Sequence, residues 1–251
     1  MFEILAERWS QRGATVRFPD DADAMLSPQY RGRPLITDAP CDAACAACAE
    51  SCPTNAIVLE NGSVRLDLGG CLFCGACAAV CPQEKIQFTR DYRMATRTRD
   101  DLWIREGETY RLAEAYGDTR FRKSFRVRQV SAGGSGAEEA EIAVLQTVVF
   151  DFARWGIQLV ASPRHADGVA VTGPVSRGMM EALRITWDAV PAPKLVIAVG
   201  ASAISGGPWR GSADVLEGVG AVLDVDLYIP GFPPHPLTIL DGLLRLLGRI
   251  R

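Results

Sequence analysis

The sequence predicts a small α+β unit followed by a larger α/β unit built on a doubly wound parallel sheet. Two observations carry this. All eight cysteines fall within residues 41–81, in two runs that each end in Cys-Pro. From residue 139 onward, short and continuously apolar runs alternate with amphipathic helical segments, the pattern of strands covered by helices on both faces.

The first run is Cys41, Cys45, Cys48 and Cys52 before Pro53, and the second is Cys71, Cys74, Cys77 and Cys81 before Pro82. The second reads C-x2-C-x2-C-x3-C-P, the spacing with which bacterial ferredoxins ligate iron–sulfur clusters. Three thiolates on a tight loop reach three corners of a cubane, while the fourth, just before a proline, points away and serves the other cluster. One [4Fe-4S] cluster is therefore assigned to Cys41, Cys45, Cys48 and Cys81, and a second to Cys52, Cys71, Cys74 and Cys77. The runs are copies, since 45 to 74, 48 to 77, 52 to 81 and 57 to 86 are all steps of 29 residues. A short apolar strand follows each Cys-Pro, at 57–59 and 86–88. Asn61-Gly62 turns the first strand back through Val64 and Leu66 as a type I′ hairpin. The first run departs from its twin by one extra residue between Cys41 and Cys45, so the cluster bound by Cys41 is the less secure. Zinc sites favour C-x2-C pairs separated by a longer loop, and disulfides require an oxidising compartment to which nothing here targets the chain.

At 251 residues the chain suits two modest domains, and 48% hydrophobic with 23% charged residues is ordinary for globular proteins. A net charge of -3 excludes the basic footprint of a nucleic-acid binder. No apolar run reaches the roughly 18–20 residues that span a bilayer. Glu3, Glu7 and Arg8 break up the first apolar residues, unlike a signal peptide. The expected compartment is the reducing cytoplasm.

In chain order, residues 1–40 are expected to form an N-terminal helix and an extended arm. Phe2, Leu5, Ala6 and Trp9 give one side of the helix an apolar stripe, which packs on its own unit or docks on a partner or membrane surface, and Gly13 ends it. Pro19, Pro28, Pro34 and Pro40 mark an arm that wraps the cluster unit. Residues 41–90 form the two-cluster unit, and 91–130 a charged connector with little core material. Within the connector, Arg120, Arg122, Lys123, Arg126 and Arg128 alternate with Phe121, Phe125 and Val127, as in a solvated edge strand protected by charge or a surface for an acidic partner. Residues 131–251 form the second unit. It opens with the Gly-rich 131–136, then a helix at 139–155, strands at 157–161, 168–172, 195–200 and 225–229, and helices at 176–189 and 237–250. In such sheets ligands collect at the carboxyl ends of the strands, here Gly173-Pro174, Gly200-Ala201-Ser202-Ala203 and 230–234. His165 and His235, the only histidines, read as packed residues rather than ligands.

Both halves resemble subunits of energy-converting membrane-bound [NiFe] hydrogenases of the formate hydrogenlyase type, and their relatives in respiratory complex I. The first half, with Tyr30-Arg31-Gly32-Arg33-Pro34 ahead of it, is similar to the two-cluster ferredoxin subunit. The second is similar to the hydrogenase small subunit, equivalent to the complex I subunit that carries the last cluster before quinone. The carrying residues include Phe121-Arg122-Lys123-Ser124-Phe125, Arg154-Trp155-Gly156-Ile157, Ser162-Pro163-Arg164-His165-Ala166-Asp167, Val171-Thr172-Gly173-Pro174-Val175 and Tyr228-Ile229-Pro230-Gly231. The fold implied is an α+β bacterial two-cluster ferredoxin domain followed by an α/β flavodoxin-like domain.

The resemblance also implies a further cluster at the strand ends of the second half, held by four cysteines. Here Ser135 and Glu138 stand in the first pair of positions, Ser202 in the third and Phe232 in the fourth. Ser and Glu oxygens are hard ligands and Phe supplies none, so the softness that selects iron–sulfur clusters is gone. The resemblance thus implies an electron-transfer subunit with two [4Fe-4S] clusters and no complete active site of its own. Its second half would dock on a large-subunit relative and on membrane-arm subunits, with a possible soluble electron donor, peripherally on the inner face of the cell membrane. The rival expectation is a structural subunit whose clusters staple the fold. A third expectation places a small ligand in the pocket that the lost cluster leaves.

Overall fold

The computed structural model describes residues 2–10, 15–41, 45–60 and 62–250. The helix stop expected at Gly13 and the Asn61 half of the expected turn lie outside them. Helix α1 spans Phe2–Ser10 and does not bury its apolar stripe, with Phe2 88% and Trp9 87% exposed.

The arm divides its contacts between the two halves. Val16 N donates to Val149 O at 2.9 Å, Arg154 Nη2 donates to Val16 O at 2.6 Å, and Phe18, Ala22 and Leu26 join the core of the second half. Leu26 O also accepts from Arg90 Nη2 at 2.7 Å, and the later part joins the cysteine half as a strand, β1 (Pro34–Ile36) pairing antiparallel with β4 (Ile86–Phe88). The expectation that the whole arm wraps the cluster unit is corrected here. Its early apolar side chains find more buried surface against the larger half.

In the cysteine half, α2 (Ala47–Glu50) and α3 (Ala76–Val80) are single turns that carry Cys48 and Cys77. Gly75, at φ 82°, turns the chain into α3, a conformation that costs glycine little. Strands β2 (Ile57–Glu60) and β3 (Ser63–Asp67) form a hairpin in register Glu60↔Ser63. Residues 91–130 are more than a connector, because β5 (Trp103–Arg105) adds a third strand to this hairpin with Leu66↔Ile104 in register. Tyr92, Met94, Leu102, Ile104 and Phe121 from this stretch are buried. The charges that suggested little core lie between these apolar residues, and several are paired: Arg99 holds the buried Asp67 through Nη1–Oδ1 at 2.6 Å.

The second half follows the expected alternation. Strands β6 (Phe125–Ser131), β7 (Ile157–Leu159), β8 (Gly168–Thr172), β9 (Leu195–Val199) and β10 (Leu227–Ile229) make one sheet, ordered β7-β6-β8-β9-β10. All four pairings are parallel. In order of appearance the strands lie 2-1-3-4-5. Helices α4 (Ala137–Val144), α5 (Arg177–Asp188), α6 (Gly200–Ser205) and α7 (Pro236–Leu246) connect or cover them. Two expectations fail. β6 is not an edge strand but lies between β7 and β8, because Phe125, Val127 and Val130 are buried while Arg126 points to water. The helix expected over 139–155 ends at Val144, where the β-branched Thr147, Val148 and Val149 disfavour further turns.

The two halves share a core. Cys48, Cys71 and Cys77 belong to the same buried apolar cluster as Val196, Ala198 and Ile204 of the sheet half. Thr96 and Tyr228 exchange backbone hydrogen bonds of 3.0 and 2.9 Å, fastening the connecting chain to β10.

Phe125 is fully buried and meets Phe121 edge-on at 5.7 Å between centroids. Phe125→Ala should cost about 3–5 kcal/mol of stability through lost burial and a cavity, read as a lower urea midpoint at unchanged slope.

Candidate metal centre

The residue four after each Cys-Pro cysteine turns its backbone N–H onto that sulfur. Ala56 N lies 3.2 Å from Cys52 Sγ, and Lys85 N lies 3.3 Å from Cys81 Sγ. These two donors are one step of the 29-residue repeat apart, so the copied sequence makes a copied turn. Phe73 N adds a third such bond, to Cys71 Sγ at 3.3 Å. Hydrogen bonds to sulfur are among the features that tune iron–sulfur clusters.

Seven of the eight thiols fall into two neighbourhoods. Cys48 lies within charge–charge range of Cys41 and Cys81. Cys71 lies within range of Cys77, Cys52 and Cys74. Cys77 is also within range of Cys48, which brings the two neighbourhoods close together. Cys52, Cys71, Cys74 and Cys77 line one narrow pocket together with Ile57, Leu66 and Phe88. Among the described residues, no three His, Cys, Asp or Glu side chains meet closely enough to hold a single metal ion.

Burial dominates the electrostatics of these sulfurs. It pushes the Cys71 thiol up to about 12 and the Cys77 thiol up to about 11, against the backbone N–H groups of Phe73 and Ala78, which pull them down. Cys48 is raised for the same reason. Without metal such thiols stay protonated at neutral pH, and a ligand must be a thiolate, so loading releases protons. The donor set fits a cubane: grouped sulfurs of which three are buried, apolar walls, and N–H donors aimed at sulfur.

At the strand ends of the second half the chemistry is oxygen. Glu138 on α4 is 1% exposed and Ser202 on α6 is fully buried. Ser202 Oγ donates to Glu138 Oε1 at 2.7 Å. Gly200, at φ 90°, makes this possible, because a Cβ there would stand 2.7 Å from Glu138 Cγ. Glu138 Oε2 finds no partner among the described residues. The neighbouring Glu139 accepts from Ser131 Oγ at 2.6 Å and Thr172 Oγ1 at 2.7 Å. Although burial opposes it, these hydroxyls hold its carboxyl below the usual range. Ser135 lies three residues before Glu138, and Ala201 N donates to Gly231 O at 2.8 Å, which ties the chain beside Ser202 to the chain beside Phe232. Ser135 is exposed and caps Ala137 N at 3.4 Å, while Phe232 packs on Trp209 at 6.2 Å between centroids.

Phe232 also lines a crevice of about 290 Å³ between the halves, with Cys74, Arg31, Tyr30 and His235. Arg31 Nε donates to Phe73 O at 2.8 Å beside Cys74. His235, expected to be packed, caps α7 by accepting from Leu237 N at 3.2 Å. Sequence reasoning passed over Lys85, which is 3% exposed. The signal was present in the repeat, which sets a lysine where the other copy has Ala56.

Residues 136–246 match the family model described as "NADH ubiquinone oxidoreductase, 20 Kd subunit", and residues 40–85 match a "4Fe-4S dicluster domain". Curated proteins that resemble the chain include three from different organisms. A subunit of the NADH-quinone oxidoreductase of Phocaeicola vulgatus is 46% identical over 41% of this chain and 52% of its own length. Formate hydrogenlyase subunit 7 of Escherichia coli is 39% identical over 51% of each. The protein named "Probable membrane-bound hydrogenase subunit mbhJ" of Pyrococcus furiosus is 36% identical over 49% of this chain and 74% of its own. The chain thus spans only about half the length of the first two of these relatives.

Replacing Cys81 discriminates the crossed pairing from a run-by-run one. Cys81→Ala should remove the cluster of the first run, lowering iron from about eight to about four per chain, while Cys71→Ala in a separate chain removes the other. Equal spectra for the two variants would contradict the crossing.

Proposed function

The chain belongs to the NADH ubiquinone oxidoreductase 20 Kd subunit family, joined here to a 4Fe-4S dicluster domain, and on that premise we propose that it is an electron-transfer subunit of a complex I-like or hydrogenase-like assembly. Two [4Fe-4S] clusters, when bound, would exchange single electrons. Cys41, Cys45, Cys48 and Cys81 would hold one, and Cys52, Cys71, Cys74 and Cys77 the other. The observation that carries this reading is the division of the thiols into two neighbouring groups, each containing the fourth cysteine of the opposite run.

Residues 131–251 would form a flavodoxin-like domain, a reading supported by the strand order 2-1-3-4-5. It would act as a docking scaffold for a large-subunit relative and the membrane arm, at the inner face of the membrane. No described helix is long and apolar enough to cross a bilayer. Attachment through partners is supported by the exposed stripe of α1, where Ile4 and Leu5 stand in water beside Phe2 and Trp9. Glu138 and Ser202 would fill the place of the lost cluster with a hydrogen-bonded oxygen pair, so electrons would leave by another route.

That same pair favours a second reading, in which the complex has abandoned this electron path and the clusters serve as folding staples. One experiment separates the two. The purified chain should carry about eight iron and eight sulfide, and a potentiometric titration followed by electron paramagnetic resonance should show both clusters reducing reversibly. Full loading with no reduction by cellular carriers would favour the staple. Loading of about four iron would contradict the two-cluster assignment.

A further inference from the structure

The two cysteine copies differ at one buried position. The 29-residue step that relates Cys52 to Cys81 also relates Ala56 to Lys85, and each of these is 3% exposed. Their backbones act alike, each N–H donating to its cysteine sulfur. Their side chains do not, since one copy buries a methyl group where the other buries an ammonium. Lys85 Nζ donates to Ala39 O at 2.7 Å and to Glu106 Oε1 at 2.7 Å. Burying an ammonium is costly unless it is paired and hydrogen-bonded. Ala56 shows that the turn itself does not need one.

What the lysine adds is set by Ala39, whose carbonyl lies two residues before Cys41. The same stretch is tied a second time, because Thr37 N donates to Lys85 O at 2.9 Å. Thr37 Oγ1 in turn accepts from Ala39 N at 3.4 Å. The run that starts at Cys41 is also the one with an extra residue before Cys45, so loop length alone constrains Cys41 least among the ligands.

We propose that Lys85 is a positioning residue for the cluster of Cys41, Cys45, Cys48 and Cys81. Its ammonium anchors the chain that delivers Cys41, and its charge, partly balanced by Glu106, raises this cluster's reduction potential above that of its twin. The inference rests on the two-cluster reading given above. Reduction adds one electron to a cluster and makes no bond, so a nearby positive charge favours the reduced form.

The test uses the full chain with its clusters, iron analysis, and a potentiometric titration with dithionite as reductant, followed by electron paramagnetic resonance. The parent chain should hold about eight irons and titrate as two couples; about four irons would overturn the two-cluster reading and this inference with it. Lys85→Met should fall to about four irons and keep the lower couple, and full iron in that variant would overturn the anchoring. Glu106→Gln leaves the Ala39 contact in place, so it should keep all the iron. It should move only the higher couple upward, by about tenfold in its reduction equilibrium, or about 59 mV for one electron. Two unmoved couples, or two that move together, would overturn the charge effect. Should Lys85→Met fail to fold, Glu106→Gln decides alone, because it removes a half-buried carboxylate and leaves the lysine.

Discussion

The amino-terminal half depends on sulfur that water reaches poorly. Burial raises the thiols of Cys48, Cys71 and Cys77, so the fold by itself favours the neutral form and resists the charged form that a metal needs. Backbone amides work against this, three of them aimed at Cys52, Cys71 and Cys81. The half thus aims backbone donors at its sulfurs while burying several of them.

At the other end the same logic runs with oxygen. The strand ends of a parallel sheet are a natural place for a ligand, and here Glu138 and Ser202 meet there and satisfy each other on one side. Gly200 leaves room for the glutamate, so the two side chains can meet. A carboxylate and a hydroxyl have neither the softness nor the number to hold a cubane. The two halves are nonetheless welded through one apolar cluster that runs from Cys71 and Cys77 to Ile204 on α6. The cysteine half is therefore held rigidly against the sheet loops, and Cys74 opens toward Phe232 and His235 across the crevice between them.

Much of this was legible in the sequence because it rests on local periodicity. The 29-residue repeat located both cysteine turns, and the continuous apolar runs at 168–172 and 195–199 became fully buried strands. Where the readings failed, distant residues decided. The basic stretch around Arg126 looked like an edge, since alternating charge is compatible with a border strand or an interior one. Only β7 and β8 on either side settle which it is. Residues 91–130 looked empty of core because their apolar residues are spaced irregularly, and β5 gains its partner from β3.

By itself the sequence determined the ligand chemistry: which positions offer sulfur, which offer oxygen, and that the cysteine turns come in two related copies. Residue type and short spacing carry that information, and neither depends on the rest of the chain. Tertiary structure alone decided that Glu138 reaches Ser202 from another strand end, and that Lys85 turns inward to the carbonyl before Cys41. Those are meetings between segments far apart in the chain, and they exist only once a shared core has paid the entropy of bringing them together.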